Sequence, residues 1–246
     1  MGMSAGPDVV EDGLILILDP ANKISYPGSG STINNLVGLK DACTVDGPEF
    51  SSDNSGTFNY VQGNYDNITF PNSIFATLPN GNFTMSAWFR PEVIPGVSDT
   101  SHTLADTLIS LFPDKWIIMT FGDGIAGDRL SMRCNIDSTW ANHGATTSGA
   151  ITTNNWFNYC ATYNSSSGFV GYLNGVSVST SSTTGTFGGG GLGQEGKIAC
   201  AEDSTASARV NRFFDGDISI VKIYNTDLSA AEVLQNYNAL KARFGL

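Results

Sequence analysis

Apolar residues in this chain come in short runs, broken every few positions by Gly, Asn, Ser, Asp or Pro. Runs of four to nine residues bounded by turn formers read as strands, and a chain built almost wholly of them closes as a sandwich or barrel. Strands are expected at 14–18, 67–70, 83–90, 107–111, 116–121, 129–135, 157–163, 170–173, 176–179, 197–201 and 216–224. The five unbroken apolar residues 14–18 predict a strand buried on both faces. The sharpest local signal is Leu173-Asn174-Gly175-Val176. Asn-Gly between apolar residues suits a type I′ hairpin turn, whose two central residues need positive φ. Residues 1–12 read as a flexible arm, 20–35 as a loop, and 13–246 as one domain. The low-complexity stretch 181–193 sits between strands of the same fold, as a long hairpin connection or a mobile contact loop.

Helical periodicity is expected only at the end, over residues 230–243. Ser229 and Glu232 have capping-box spacing, in which the hydroxyl serves the N3 amide and the carboxylate reaches back. Val233, Tyr237, Leu240 and Phe244 form one apolar stripe that must lie against a sheet. Lys241 and Arg243 suit the negative end of the helix dipole, and Gly245 can cap it.

Composition supports this and excludes several functions. Ser, Thr, Asn and Gly make up 97 of 246 residues, and only 14% are charged. These side chains compete with helical hydrogen bonds or lose entropy in a helix. The net charge of −11 and the absence of any Lys/Arg cluster argue against nucleic-acid binding. No apolar run approaches membrane-spanning length. The first thirteen residues lack a basic region followed by an apolar one, so no signal peptide is expected. Cys43, Cys134, Cys160 and Cys200 have no CxxC spacing, which disfavours a zinc knuckle. Buried, reduced thiols are expected.

Several segments together resemble the laminin-G-like, concanavalin-A-like jelly-roll superfamily, in the version found in tailed-phage structural proteins. They are GLILILDPANKISYPGSGSTINNL at 13–36, FTMSAWFRP at 83–91, NNWFNYCATYNSSSGFVGYLNGV at 154–176 and FFDGDISIVKIYNTDLSAAEVLQNYNALKARFGL at 213–246. The resemblance implies an all-β, two-sheet antiparallel jelly-roll sandwich with a short C-terminal α-helix. In such a fold the first and last strands lie together. Trp88 and Trp156 are expected to fill the space between sheets. The implied role is a non-enzymatic virion protein, a capsid decoration or tail/fibre component, made in the host cytoplasm and displayed on the particle. Its partners would be other virion subunits, further copies of itself and cell-surface glycans. The alternative is a lectin module whose main task is sugar recognition, with calcium as a candidate cofactor.

Glycanase relatives carry a Glu-x-Asp-x-x-Glu strand, because period-2 alternation sets acid and nucleophile on one face. This chain has no such segment, and Asp215-Gly216-Asp217 reads as a turn. With two histidines, His102 and His143, a Ser-His-Asp site is poorly supported. Calcium requires several oxygens at once, and Asp123 and Asp128 could supply two from one loop. Otherwise they are solvated acids of a hairpin turn. For glycan contact the candidates are Trp140, Asn142 and His143, a stacking aromatic beside amide and imidazole donors on an expected loop; otherwise Trp140 packs over strand ends.

Overall fold

Sheet pairing follows the expected strands closely in a computed structural model that describes residues 8–38, 41–71, 73–74, 81–96, 98, 106–111, 117–122, 125–137, 139–186, 195–201 and 212–246, without the side chains of 140 and 141. The strands are β1 (Leu14–Leu18), β2 (Thr32–Asn34), β3 (Ala42–Asp46), β4 (Glu49–Ser51), β5 (Thr57–Tyr60), β6 (Asn67–Phe70), β7 (Asn82–Pro91) and β8 (Thr107–Ser110). They continue as β9 (Ile117–Phe121), β10 (Leu130–Ile136), β11 (Thr139–His143), β12 (Phe157–Asn164), β13 (Gly168–Leu173), β14 (Val176–Ser181), β15 (Gly196–Ile198) and β16 (Gly216–Tyr224). One helix, α1 (Ala230–Leu240), runs into a 3-10 turn at Lys241–Phe244. The expected strand at 197–201 stops at Ile198, because Ala199 adopts a left-handed φ of 66°.

Two antiparallel sheets form a sandwich. The first runs β14-β13-β12-β7-β16-β5-β4, and the second β11-β10-β9-β8-β15-β6-β3-β2. The hairpin at 173–176 forms as expected, with φ of 51° at Asn174 and 77° at Gly175. β1 pairs antiparallel with β16 at Leu18↔Val221 and Leu14↔Tyr224, while β5 takes the other half of that edge at Gly216↔Tyr60. The outward edge of β1 is served by Asn35, which accepts from the Ile17 amide and donates to the Ile15 carbonyl. Leu16 and Leu18 are buried; Leu14, Ile15 and Ile17 are half-buried. Residues 8–12, expected as part of a free arm, are tied down. Val10 donates its amide to Asn236 Oδ1 at 2.9 Å and accepts from the Tyr224 hydroxyl at 3.1 Å, and Gln235 Nε2 donates to the Asp8 carbonyl.

The core between the sheets holds Leu16, Leu18, Phe58, Phe83, Phe89, Phe121, Tyr159 and Phe214. All four cysteines are buried as thiols. The tryptophans correct the expectation. Ala87 and Phe89 face the core, so strand alternation turns Trp88 to the outer face of the first sheet. There Trp88 is fully buried, stacked on Phe244 at 4.2 Å and Tyr237 at 5.6 Å, with Trp156 and Ile220 alongside. Each aromatic pair adds about 0.5–1.5 kcal/mol beyond its buried area. A second cluster, Cys160, Tyr172, Tyr224, Leu228 and Val233, continues under the N-terminal half of α1. The capping box forms, with Glu232 N donating to Ser229 Oγ and Ser229 N to Glu232 Oε2.

Arg243 fixes the far end of this cover. Its guanidinium donates to Asp19 Oδ1 at 2.8 Å, the carbonyls of Asn54 and Gly56, and Ser219 Oγ. Arg243→Ala strips these donors and removes the ion-pair partner of Asp19, so a loss of about 3 kcal/mol is expected in denaturant unfolding. Lys222 is the opposite case. It lies on β16 beneath the cover, 1% exposed, and burial lowers its pKa to about 8. At pH 7 its charge is held out of water with Asp19 as a nearby counter-charge, so Lys222→Met should gain about 2 kcal/mol. A lysine whose folded pKa is lowered costs stability below that pKa, so the gain should fade as pH rises from 8 towards 10.5.

Candidate binding surface

The residues singled out for glycan contact do not come together. Trp140, Asn142 and His143 belong to a strand, β11, not a loop, paired with Asn135, Arg133 and Met132 of β10. The side chain of Trp140 lies outside those described. Alternation sends Asn142 and His143 to opposite faces. Asn142 accepts from Ser131 Oγ at 3.1 Å. His143 is 3% exposed, stacked on Phe169 at 4.2 Å and 7°, with Nδ1 3.0 Å from Ser181 Oγ across on β14. It closes the gap between the two sheet edges. Close by, Gly144 and Gly171 touch backbone to backbone, where a Cβ on Gly171 would sit 2.3 Å from the Gly144 carbonyl oxygen. A sugar cannot reach His143.

The calcium candidates fare similarly. Asp123 lies outside the described residues. Asp128 is buried, and its Oδ2 accepts from Ser148 Oγ and from the Gly149 amide at 2.8 Å. These donors hold its carboxyl below the usual range. Asp128 therefore pins the loop after β11 onto the turn before β10. Among the described residues no three His, Cys, Asp or Glu side chains converge as a metal site.

Asp217, expected in a turn, lies in β16. Its Oδ2 accepts from Arg90 Nε at 2.7 Å and Nη2 at 2.6 Å, and its Oδ1 from Asn59 Nδ2, which also reaches Glu92. Burial raises the Asp217 carboxyl against the pull of Arg90 and Asn59. A carboxylate gripped by an arginine fork is a poor nucleophile. A cleft of about 450 Å³ beside β1, lined by Val9, Glu11, Leu14, Ile17, Leu36 and Val37, has no aromatic among its described lining residues to stack a ring.

The surface feature that sequence reading missed is the turn between β5 and β6. Tyr65 is 50% exposed, the one exposed aromatic among the described side chains. It adopts φ 62°, ψ 31°, a left-handed conformation that is an outlier for a bulky residue. Its surroundings fix that conformation. The Asn64 amide donates to the Val61 carbonyl at 3.0 Å, and Asn67 Nδ2 to the Tyr65 carbonyl at 3.1 Å. Buried Asp66 accepts from the Val61 amide at 2.9 Å. The Tyr65 ring stands edge-on to Phe213 at 5.2 Å and 77°. Gln62 Nε2 donates to the Phe213 carbonyl and to Asp106 Oδ1. Its Oε1, and the side-chain amide of exposed Asn64, make no hydrogen bond among the described residues. A strained, outward ring beside uncommitted amides is the composition of a binding surface. An αL tyrosine leaves no mark in a sequence beyond the Gln-Gly-Asn turn before it.

The sequence model of the Laminin_G_3 family, the concanavalin A-like lectin/glucanases superfamily, matches residues 62–234. The chain belongs to this superfamily. No curated protein matches the sequence. Among solved structures, the binding domain of botulinum neurotoxin serotype D/C shares 14% identity at a TM-score of 0.65, over 93% of this chain and 52% of that one. Botulinum neurotoxin type C, whose cell entry depends on two ganglioside molecules, gives 16% and 0.66 over 93% and 51%. Domain 4 of AbnA, an extracellular arabinanase from Geobacillus stearothermophilus solved with arabinotriose, gives 16% and 0.64 over 93% and 100%. The chain thus spans about half the length of the toxin structures and the whole arabinanase domain. It is a lectin/glucanase-fold domain.

His143 gives a pH prediction. Burial lowers its pKa to about 4, so the folded protein resists its protonation. Its contribution is complete above the ordinary value of 6.5 and is lost as pH falls towards 4. The stability difference between wild type and His143→Gln, measured by thermal melts, should shrink across that window.

Proposed function

We propose that the chain is a non-enzymatic binding module that recognises glycans. The observation that carries this is Tyr65, held rigidly outward in a conformation that costs roughly 1–3 kcal/mol. Packing alone gives no reason to keep that cost, because the residue is half exposed. The polar groups beside it can take sugar hydroxyls while the ring takes a pyranose C–H face. Two fold neighbours support the ligand class, since one was solved with arabinotriose and the other depends on gangliosides for cell entry. The non-enzymatic part rests on the acids: Asp66, Asp128 and Asp217 each hold the structure together through their carboxylates.

A second reading sets the module on a tailed-phage particle, as a capsid decoration or tail-fibre component made in the host cytoplasm. Its specific support is the segment 213–246, which carries the phage resemblance and forms β16, α1 and the Arg243 clamp. An antibody against the folded domain should then label intact particles.

A glycan array probed with the purified protein should give reproducible hits that soluble sugar competes away. Incubation with β-glucans, agars and bacterial exopolysaccharides should release no reducing ends above a buffer control. Release that disappears on mutating two neighbouring acids overturns the non-enzymatic reading.

A further inference from the structure

We infer that the Tyr65 surface takes uncharged sugars and turns away anionic ones; this rests on the glycan-binding reading and adds the ligand's charge and place. The ligand chemistry is set by what stands around the ring. Asp66 is buried directly behind it, near enough to Asp46 and Glu49 for both to raise its carboxyl further, after burial itself. Asp46 is exposed and pairs with Asn67 in the β3–β6 ladder, two residues from Tyr65. Glu49, also exposed, pairs with Asn59 of β5, the strand that leads into the turn. Asp106 lies beneath Gln62.

Asp46, Asp66 and Asp106 therefore lie in or against the turn that carries Tyr65, with Glu49 on the neighbouring strand. Among the described residues two cations share the region. Lys197 donates to Thr69 Oγ1 on β6, and Arg212, half-buried, precedes Phe213. The local balance is negative, and the whole chain carries −11. A sialic acid or uronate carboxylate laid on Tyr65 would face this field, and among the described residues no exposed arginine fork stands beside the ring to receive it. An uncharged hexose pays no such repulsion. Its apolar face covers the ring, and its hydroxyls meet Gln62 Oε1 and the side-chain amide of Asn64.

The test uses paired glycans, identical except for a sialic acid or sulfate, and the full chain. Neutral members should bind, and their anionic counterparts should bind at least tenfold more weakly at low salt. The gap should narrow as salt screens the surface charges. Replacing Asp46→Asn and Glu49→Gln together should narrow it too, with neutral affinity unchanged. Tyr65→Gly should abolish binding while the melting temperature holds or rises, because glycine accepts the left-handed φ without strain. Tyr65→Phe keeps the ring and should keep binding.

Outcomes separate cleanly. If the wild type binds no glycan in any pair, the glycan-binding reading itself fails. Binding that survives Tyr65→Gly moves the site elsewhere and overturns this assignment alone. Anionic glycans bound as well as neutral ones overturn the selectivity. A fall in melting temperature with Tyr65→Gly makes the ring a packing residue and overturns its role as a platform.

Discussion

β7 and β16 are buried on both faces, and this constraint organises the rest of the molecule. One face makes the core with the second sheet; the other carries Trp88, Ile220 and Tyr224, which cannot be left in water. Burying a large apolar side chain contributes roughly 1.5–3 kcal/mol, so the outer face demands a cover. α1 and residues 8–12 supply it. Tyr224, Asn236 and Val10 close a hydrogen-bonded ring that ties the two ends of the chain to one strand. The cover takes the outer face of the first sheet out of water.

That division explains why the polar side chains of interest do two different jobs. His143, Asp128 and Asp217 look functional by type, yet each is buried and spans a gap between elements. A sandwich of many short strands has many loops to pin, and buried polar groups must be satisfied where they pin them. Tyr65 differs because its backbone, not its side chain, is what the surrounding hydrogen bonds hold. Its ring is left facing water.

Much of the architecture was legible in the sequence. Long apolar runs such as 83–90 and 216–224 fall within β7 and β16, and the Asn174-Gly175 turn and the Ser229 capping box form as expected. Short strands were not legible. Thr32–Asn34 sits inside a stretch of Pro, Gly and Ser that reads as loop, and Glu49–Ser51 offers three residues with no period to detect. β11 carries Trp, Asn and His, which suggested a binding loop, but hydrogen bonding to β10 decides its conformation. The faces of Trp88 and Trp156 were misjudged for a related reason. A run buried on both sides gives no alternation to tell inside from outside. The Tyr65 turn escaped because its positive φ arises from contacts with Asp66 and Asn67 that no local pattern announces.

The position of β16 in the chain has a consequence for how the protein is made. This strand sits between β7 on one edge and β1 and β5 on the other, so the middle of the first sheet is vacant until residues 216–224 leave the ribosome. Until then β1, β5 and β7 present unpaired edges, which invite aggregation. Contacts spanning some two hundred residues also make for slow, late closure. A nascent chain stalled before residue 216 should therefore be a client for chaperones, and the finished one should be released in a single late step.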